Sequence, residues 1–297
     1  AYLITGHKWF MSAPMSDAFL VLAQAEGGLS CFLLPRFTPD GALNGLRIQR
    51  LKDKLGNRSN ASSEVEFHSA WAQMIGEEGR GVPAIIEMVT QTRLDCAVSS
   101  AGVMRLALAN ALHHARHRSV TQKKLVDHVL MTGVLADMAL DVEAATALVF
   151  RLARSFDQGN TTKGGAWRRL MTPVIKFWVC KLVPALACEA MECLGGNGYV
   201  EEGIAARIYR EAPLNAIWEG SGNVMALDVL RVLQREPEAA EMVLDELGDS
   251  VAHNAALKAG FRRVQAILHE PRDLDRRARM LVETLAVVTA GALLEAH

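Results

Sequence analysis

The sequence predicts an α+β protein in which an antiparallel β-domain comes first and a bundle of long, apolar-faced helices follows. Three observations carry this expectation. Short apolar runs spaced by Gly, Pro, Asn and Asp fill the first 77 residues, as alternating strands and turns require. After Gly79-Arg80-Gly81 the apolar residues recur at intervals of three and four, the period of a helix with one buried face. All strand-like segments precede all helix-like ones, which favours segregated layers over alternating βα units.

In order along the chain, the runs Phe19-Leu20-Val21-Leu22, Cys31-Phe32-Leu33-Leu34 and Val65-Glu66-Phe67 mark strands, so residues 1–77 read as mostly strand. Ile85, Ile86 and Val89, then Val98, Ala101, Val103, Leu106, Leu108 and Leu112, predict one helix over 82–118. A second is expected over 128–157, closed by Gly159 and the loop 160–165, and a third over 166–194, closed by Gly195-Gly196. Pro173 and Pro184 predict a break or kink in that third helix, because proline removes a helical donor and crowds the preceding turn. A fourth helix begins near Asn223 and runs through Leu233, completing the set needed for an up-and-down bundle. The expected domains are 1–78 for the β-domain, 79–235 for the bundle and 236–297 for an additional helical region. The chain opens without methionine on the strand-like Tyr2-Leu3-Ile4-Thr5 and stops within a helix-like stretch at residues 290–297, so a piece of a longer protein is expected.

The 297 residues are half apolar, enough for a substantial core. With 33 acidic against 32 basic side chains the net charge is −1, so the field of the whole molecule does not recruit nucleic acid or membrane. Five cysteines, odd in number and without a Cys-x-x-Cys pair, argue against a disulfide framework or zinc knuckle and favour a reducing, cytoplasmic setting. No run of eighteen uncharged apolar residues and no basic-then-apolar leader occurs, so no membrane span is expected. Charge is uneven only toward the end. Residues 236–250 hold six acids and no base, whereas residues 258–279 hold seven bases against three acids. That basic stretch is either a phosphate-binding face or simply a solvated helix surface.

Four segments carry candidate chemistry. Gly6-His-Lys-Trp-Phe-Met-Ser12 combines aromatics and a hydroxyl that suit a flat ring, although an ordinary hairpin has the same look. Gly195-Gly-Asn-Gly-Tyr199 offers backbone that approaches a phosphate closely, and serves equally as a helix stop. In Ile217-Trp-Glu-Gly-Ser-Gly-Asn223, glycines and a capping serine lead into a helix whose positive end suits a pyrophosphate, with Glu219 beside Trp218 as a candidate proton acceptor. His113 and His117 lie four apart on one helix face, yet no third ligand is apparent, so no metal site is expected.

Taken in order, Gly6-x-Lys-x-Phe-Met-Ser12, Lys54-Leu-Gly-Asn-Arg58, Arg93-Leu94, Gly195-Gly-Asn-Gly-Tyr199 and Trp218-Glu-Gly-Ser-Gly222 resemble the acyl-CoA dehydrogenase superfamily across almost the whole chain. The stretches 52–62, Tyr209-Arg-Glu-Ala-Pro213 and Ile217–Asn223 look like its AidB branch, the alkylation-response flavoproteins. The resemblance implies FAD, a middle β-domain, a C-terminal four-helix bundle with extra C-terminal helices, and an amino-terminal helical domain that this sequence lacks. It also implies a homo-oligomer, a tetramer built as a dimer of dimers, in which a neighbouring subunit completes the flavin site.

By position, the resemblance places Phe10, Met11 and Ser12 at the isoalloxazine ring with Thr5 nearby, and Trp218, Gly220, Ser221 and Asn223 along the cofactor. Glu219 matches the base that removes the α-proton of an acyl thioester. The isovaleryl branch carries its base just before Arg93, where this chain has Thr92, which is no base. Arg118 matches the arginine of an Arg-x-x-Phe-Gly segment that meets a partner's FAD, but Thr121-Gln122 replaces Phe-Gly, and Glu192 stands where many relatives carry glutamine. Two functions follow. One is a DNA-associated flavoprotein that shields or repairs duplex DNA, with Arg231, Arg262, Arg263, Arg276, Arg277 and Arg279 as non-specific phosphate contacts. The other is a dehydrogenase of short or branched acyl-CoA. The 66 residues after Arg231, beyond the usual end of a plain dehydrogenase, favour the first.

Overall fold

The strand-like runs form five antiparallel strands, β1 (Tyr2–Met11), β2 (Ala18–Ala25), β3 (Gly28–Pro35), β4 (Leu46–Leu51) and β5 (Ser63–Ile75). The computed structural model describes residues 1–159 and 161–296, and within them all side chains except those of Glu87 and Pro271. Asn160, expected in the loop closing the second helix, and His297 lie outside the described residues. The 13-residue β5 organises the sheet, pairing with β1 along one edge and with β4 and then β3 along the other, while β2 closes a hairpin on β3. Alternate residues of these strands turn inward, as the two-residue period demands, and Ile4, Met11, Val21, Phe32, Leu34, Val65 and Phe67 form the core of this unit.

The chain divides into two compact units, Ala1–Gln91 and Thr92–His297, with the division inside the long helix α1 (Gly81–His117). A two-stranded hairpin, β6 (Ser119–Val120) and β7 (Lys123–Lys124), then leads to α2 (Val129–Asp157), α3 (Thr162–Cys193), α4 (Ile204–Glu211) and α5 (Gly222–Arg235). Three further helices follow, α6 (Pro237–Ser250), α7 (Ala255–Leu268) and α8 (Leu274–Glu295).

The third helix departs from expectation. It starts four residues earlier, where the Thr161 hydroxyl accepts the amide of Gly164, and it runs through Pro173 and Pro184 without a break. Each internal proline costs about 3 kcal/mol. Leu170, Met171, Val174, Ile175, Val179 and Val183 are all at most 1% exposed, and full burial of such side chains is worth about 1.5–3 kcal/mol apiece, so packing wins. α3 is also the one helix long and apolar enough by composition to cross a membrane, among the described residues, and 72% of its most apolar window is buried against its neighbours. Its hydropathy is that of a bundle's central helix.

Candidate functional site

The loop before α5 holds the candidate base in a demanding conformation. Glu219 has φ +57° and Gly220 φ +105°, both in the left-handed region. Buried cations grip three successive carbonyls. Lys176 Nζ, from the middle of α3, donates to the carbonyl oxygens of Trp218 at 2.7 Å and Gly220 at 2.6 Å, and Arg93 Nε donates to that of Glu219 at 3.1 Å. The carboxylate itself is oriented by Thr92, whose Oγ1 donates to Glu219 Oε2 at 2.8 Å. Trp218 is tied in turn: its Nε1 donates to Asn215 Oδ1, and Asn215 Nδ2 donates to the hydroxyls of Ser99 and Ser100.

Beneath the loop, Asp228 is 4% exposed and accepts three guanidinium groups, Arg93 at 2.7 Å, Arg169 at 3.3 Å and Arg231 at 3.4 Å. A buried carboxylate shared among three guanidinium groups fixes their geometry. Lys176 is 1% exposed, and burial pushes its ammonium below the ordinary lysine range. Burial also pushes the nearby Cys96 thiol up to about 12 and raises that of Cys180, so neither is a thiolate near neutrality.

A cleft of about 400 Å³ opens beside this loop, walled by Pro184, Ile217, Ser221 and Asn223, with Lys181 and Arg279 at its edge. Ser221 stands at the cap position of α5, but its hydroxyl makes no capping bond. The missing Cβ atoms matter here. One on Gly220 would stand 2.6 Å from Met225 Cε, and one on Gly222 would stand 2.7 Å from Lys181 Cε.

The remaining expected residues fall in several places. In the first unit Phe10 and Ser12 are exposed, whereas Met11 is 7% exposed and packs into the sheet core. Phe10 and Met11, neighbours at the end of β1, thus turn to different surroundings. Thr5 Oγ1 accepts the backbone amide of Ser69 at 3.3 Å, and Lys52 Nζ lies 3.2 Å above the Trp9 ring and 4.6 Å from that of Phe10. In the second unit Trp218, Glu219, Gly220, Ser221 and Asn223 stay together, while exposed Arg118 sits at the β6–β7 hairpin. Gly195–Gly198 forms a tight turn after α3, where a Cβ on Gly198 would collide with the Met191 carbonyl, as a helix stop requires. His113 and His117 stack at 4.3 Å between ring centroids.

The six arginines expected on DNA divide. Arg231 pairs with Asp228, Arg276 with Asp273 and Arg277 with Glu270. Arg262 and Arg263 are exposed on α7, and Arg279 turns to the cleft, donating to Asn223 Oδ1 at 3.0 Å. Sequence reasoning missed Lys176, Lys181 and Asp228. The available signal was a lone charge within an apolar run, Lys176 in Val174-Ile175-Lys176-Phe177 and Asp228 between Met225 and Val229.

Comparison with known proteins matches residues 1–70 to the family model of the acyl-CoA dehydrogenase middle domain and residues 79–234 to that of the acyl-CoA dehydrogenase C-terminal domain. The chain is 47% identical over 292 residues to AidB of Escherichia coli (strain K12), covering 98% of this chain and 54% of that protein. It is 33% identical to acyl-CoA dehydrogenase family member 11 of Caenorhabditis elegans, covering all of this chain and 53% of the relative. Among solved structures, Caenorhabditis elegans ACDH-11 in complex with C11-CoA superposes with a TM-score of 0.91 at 32% identity, over 99% of this chain and 55% of that one. The chain thus spans about half the length of the curated relatives it matches.

Proposed function

The chain belongs to the acyl-CoA dehydrogenase family, whose cofactor is FAD, and from that premise we propose that the protein is an oxidoreductase that dehydrogenates an acyl thioester with Glu219 as its base. The observation that carries the reading is the arrest of Glu219, its carboxylate oriented by Thr92 and its peptide group held between two lysine-bound carbonyls. A base earns its rate from placement as much as from basicity. Glu219 takes the proton from the carbon next to the thioester carbonyl, and the leaving hydride goes to FAD when bound. Trp218, fixed by Asn215, would offer an apolar surface next to the base. Thr92 occupies the position of the alternative base on α1 and supplies a hydrogen bond to Glu219 instead.

The cleft at α5 suits the cofactor by its donor set: a hydroxyl free of capping duty, an amide and glycines where side chains would intrude. Trp218, Gly220, Ser221 and Asn223 are the FAD contacts proposed for the second unit, Thr5, Phe10, Met11 and Ser12 those proposed for the first, and Arg118 would reach the FAD of a partner in a homotetramer. Similarity to AidB supports the flavoprotein reading, and the free cysteines fit a reducing, cytoplasmic setting. The test uses the full-length protein and a panel of short, branched and long acyl-CoAs. Glu219→Gln is expected to keep its flavin absorption and to lose flavin bleaching by the best substrate by about 10²–10⁴-fold. Undiminished bleaching would mean another residue is the base.

A second reading, association with duplex DNA in an alkylation response, is favoured by Arg262 and Arg263 on α7 and Arg276 on α8, exposed on two helices that pack together. These side chains, from the additional region 236–297, would meet phosphates without reading sequence.

A further inference from the structure

Arg279 and Lys181 occupy one cleft without an acid to balance them. Lys181 comes from α3 and Arg279 from α8, beyond the family-matched residues 79–234, and both lie 5.6 Å from the same Phe177 ring. Neither forms an ion pair with a carboxylate among the described residues, in contrast to Arg277 and Arg276, two and three residues before Arg279, which pair with Glu270 and Asp273. Among the described residues, the hydrogen bond of Arg279 to Asn223 Oδ1 orients its guanidinium and leaves further N–H groups unspent. The unspent Ser221 hydroxyl lines the same cleft, and the absence of a side chain at Gly222 lets Lys181 lie against the start of α5. Two like charges brought together beside a helix start of the same sign repel one another, and an anion relieves that repulsion.

We infer that Arg279 and Lys181 clamp the diphosphate of FAD, so that Arg279, from the additional C-terminal helix α8, contributes to cofactor retention rather than to a DNA face. The inference rests on the FAD reading of the site. A diphosphate supplies two negative charges and several acceptor oxygens, matching two cations, a hydroxyl and oriented amide groups. A cleft of about 400 Å³ admits this small group, whereas the phosphates of a duplex meet side chains that project from a surface.

The experiment strips flavin from the full-length protein and titrates FAD back, following flavin fluorescence, for the wild type, Arg279→Ala, Arg279→Lys and Lys181→Ala. Inorganic pyrophosphate serves as competitor, and duplex DNA affinity is measured on the same samples. Arg279→Ala and Lys181→Ala are each expected to weaken FAD at least tenfold and to lose competition by pyrophosphate, with duplex affinity unchanged. Arg279→Lys recovers part of the loss, which a misfolded variant does not. FAD affinity within twofold of wild type in both alanine variants overturns the inference. A loss confined to duplex binding also overturns it and returns Arg279 to the DNA face. A wild-type protein that takes up no FAD instead overturns the functional reading on which the inference stands.

Discussion

Glu219 in the left-handed region carries a backbone cost of about 1–3 kcal/mol, which persists only where the surroundings over-determine it. Lys176 is the principal restraint, because one ammonium satisfies the carbonyls on both sides of the strained residue. Replacing it by methionine keeps most of the volume and leaves two carbonyls without their donor, at about 1–3 kcal/mol each. Lys176→Met is therefore expected to lower unfolding free energy by about 2–6 kcal/mol, read by urea denaturation. It is also expected to lower kcat for acyl-CoA oxidation by about 10²-fold through a misplaced base. A variant with wild-type kcat would show that Glu219 keeps its place without the lysine. At this scale the sequence revealed the residues of the loop, Glu219 and Ser221, because they are contiguous. It did not reveal Lys176, whose acceptors lie 42 and 44 positions away, or Asp228, two of whose three arginine partners lie 59 and 135 positions away. A charge on a buried helix face looks like an irregularity until the fold brings its acceptors to it.

Between strands, the Arg50–Glu64 pair shows how an element fixes its own register. Arg50 on β4 stands opposite Glu64 on β5 and donates from Nε to Oε1 at 2.8 Å, with Lys52 on the same oxygen. The hydrogen bonds of Arg50 and then Lys52 lower the Glu64 carboxyl from 4.5 to about 2. Between those values the unfolded chain binds more protons than the folded one, so the contribution is complete above 4.5 and is lost as pH falls toward 2. Amide exchange in β4 and β5 is expected to accelerate as pH drops through this window, relative to intrinsic rates, and Glu64→Gln should flatten that response. An identical pH profile in the variant would remove Glu64 as the origin. Element types were legible from periodicity, and α1, α2 and α5 lie within a residue or two of expectation. The continuous α3 was not, because a proline's local cost is visible in sequence while the burial that offsets it comes from α2, α5, α6 and α8. Thr121 and Gln122, at φ +49° and +64°, show the same limit from the other side. They form the tight β6–β7 turn although neither is a residue that such a turn prefers.

Across the second unit, the helices that sequence set apart as an additional region share one core with the bundle. Val243 and Leu247 of α6, Phe261, Val264 and Ile267 of α7, and Leu281, Val282 and Leu285 of α8 belong to the same buried cluster as Leu148, Leu170 and Val229. The blocks of acid and base in this region drew the eye to its surface, although the spacing of Phe261, Val264 and Ile267 is that of a helix with a buried face. A shared core implies shared stability, because a cavity in one helix removes contacts from all that line it. Leu281 is 1% exposed, and Leu281→Ala is expected to cost about 2–5 kcal/mol. If α6–α8 formed a domain of their own, amide protection would fall in those helices and stay unchanged in α3 and α5. The common core predicts the opposite: exchange accelerates in α3 and α5 together with α8, and by a similar factor, because they open as one cooperative unit. Hydrogen exchange followed by mass spectrometry on the wild type and Leu281→Ala decides between the two. Uniform loss would also explain how a cation on α8 is held steadily enough beside α5 to take part in binding at its start.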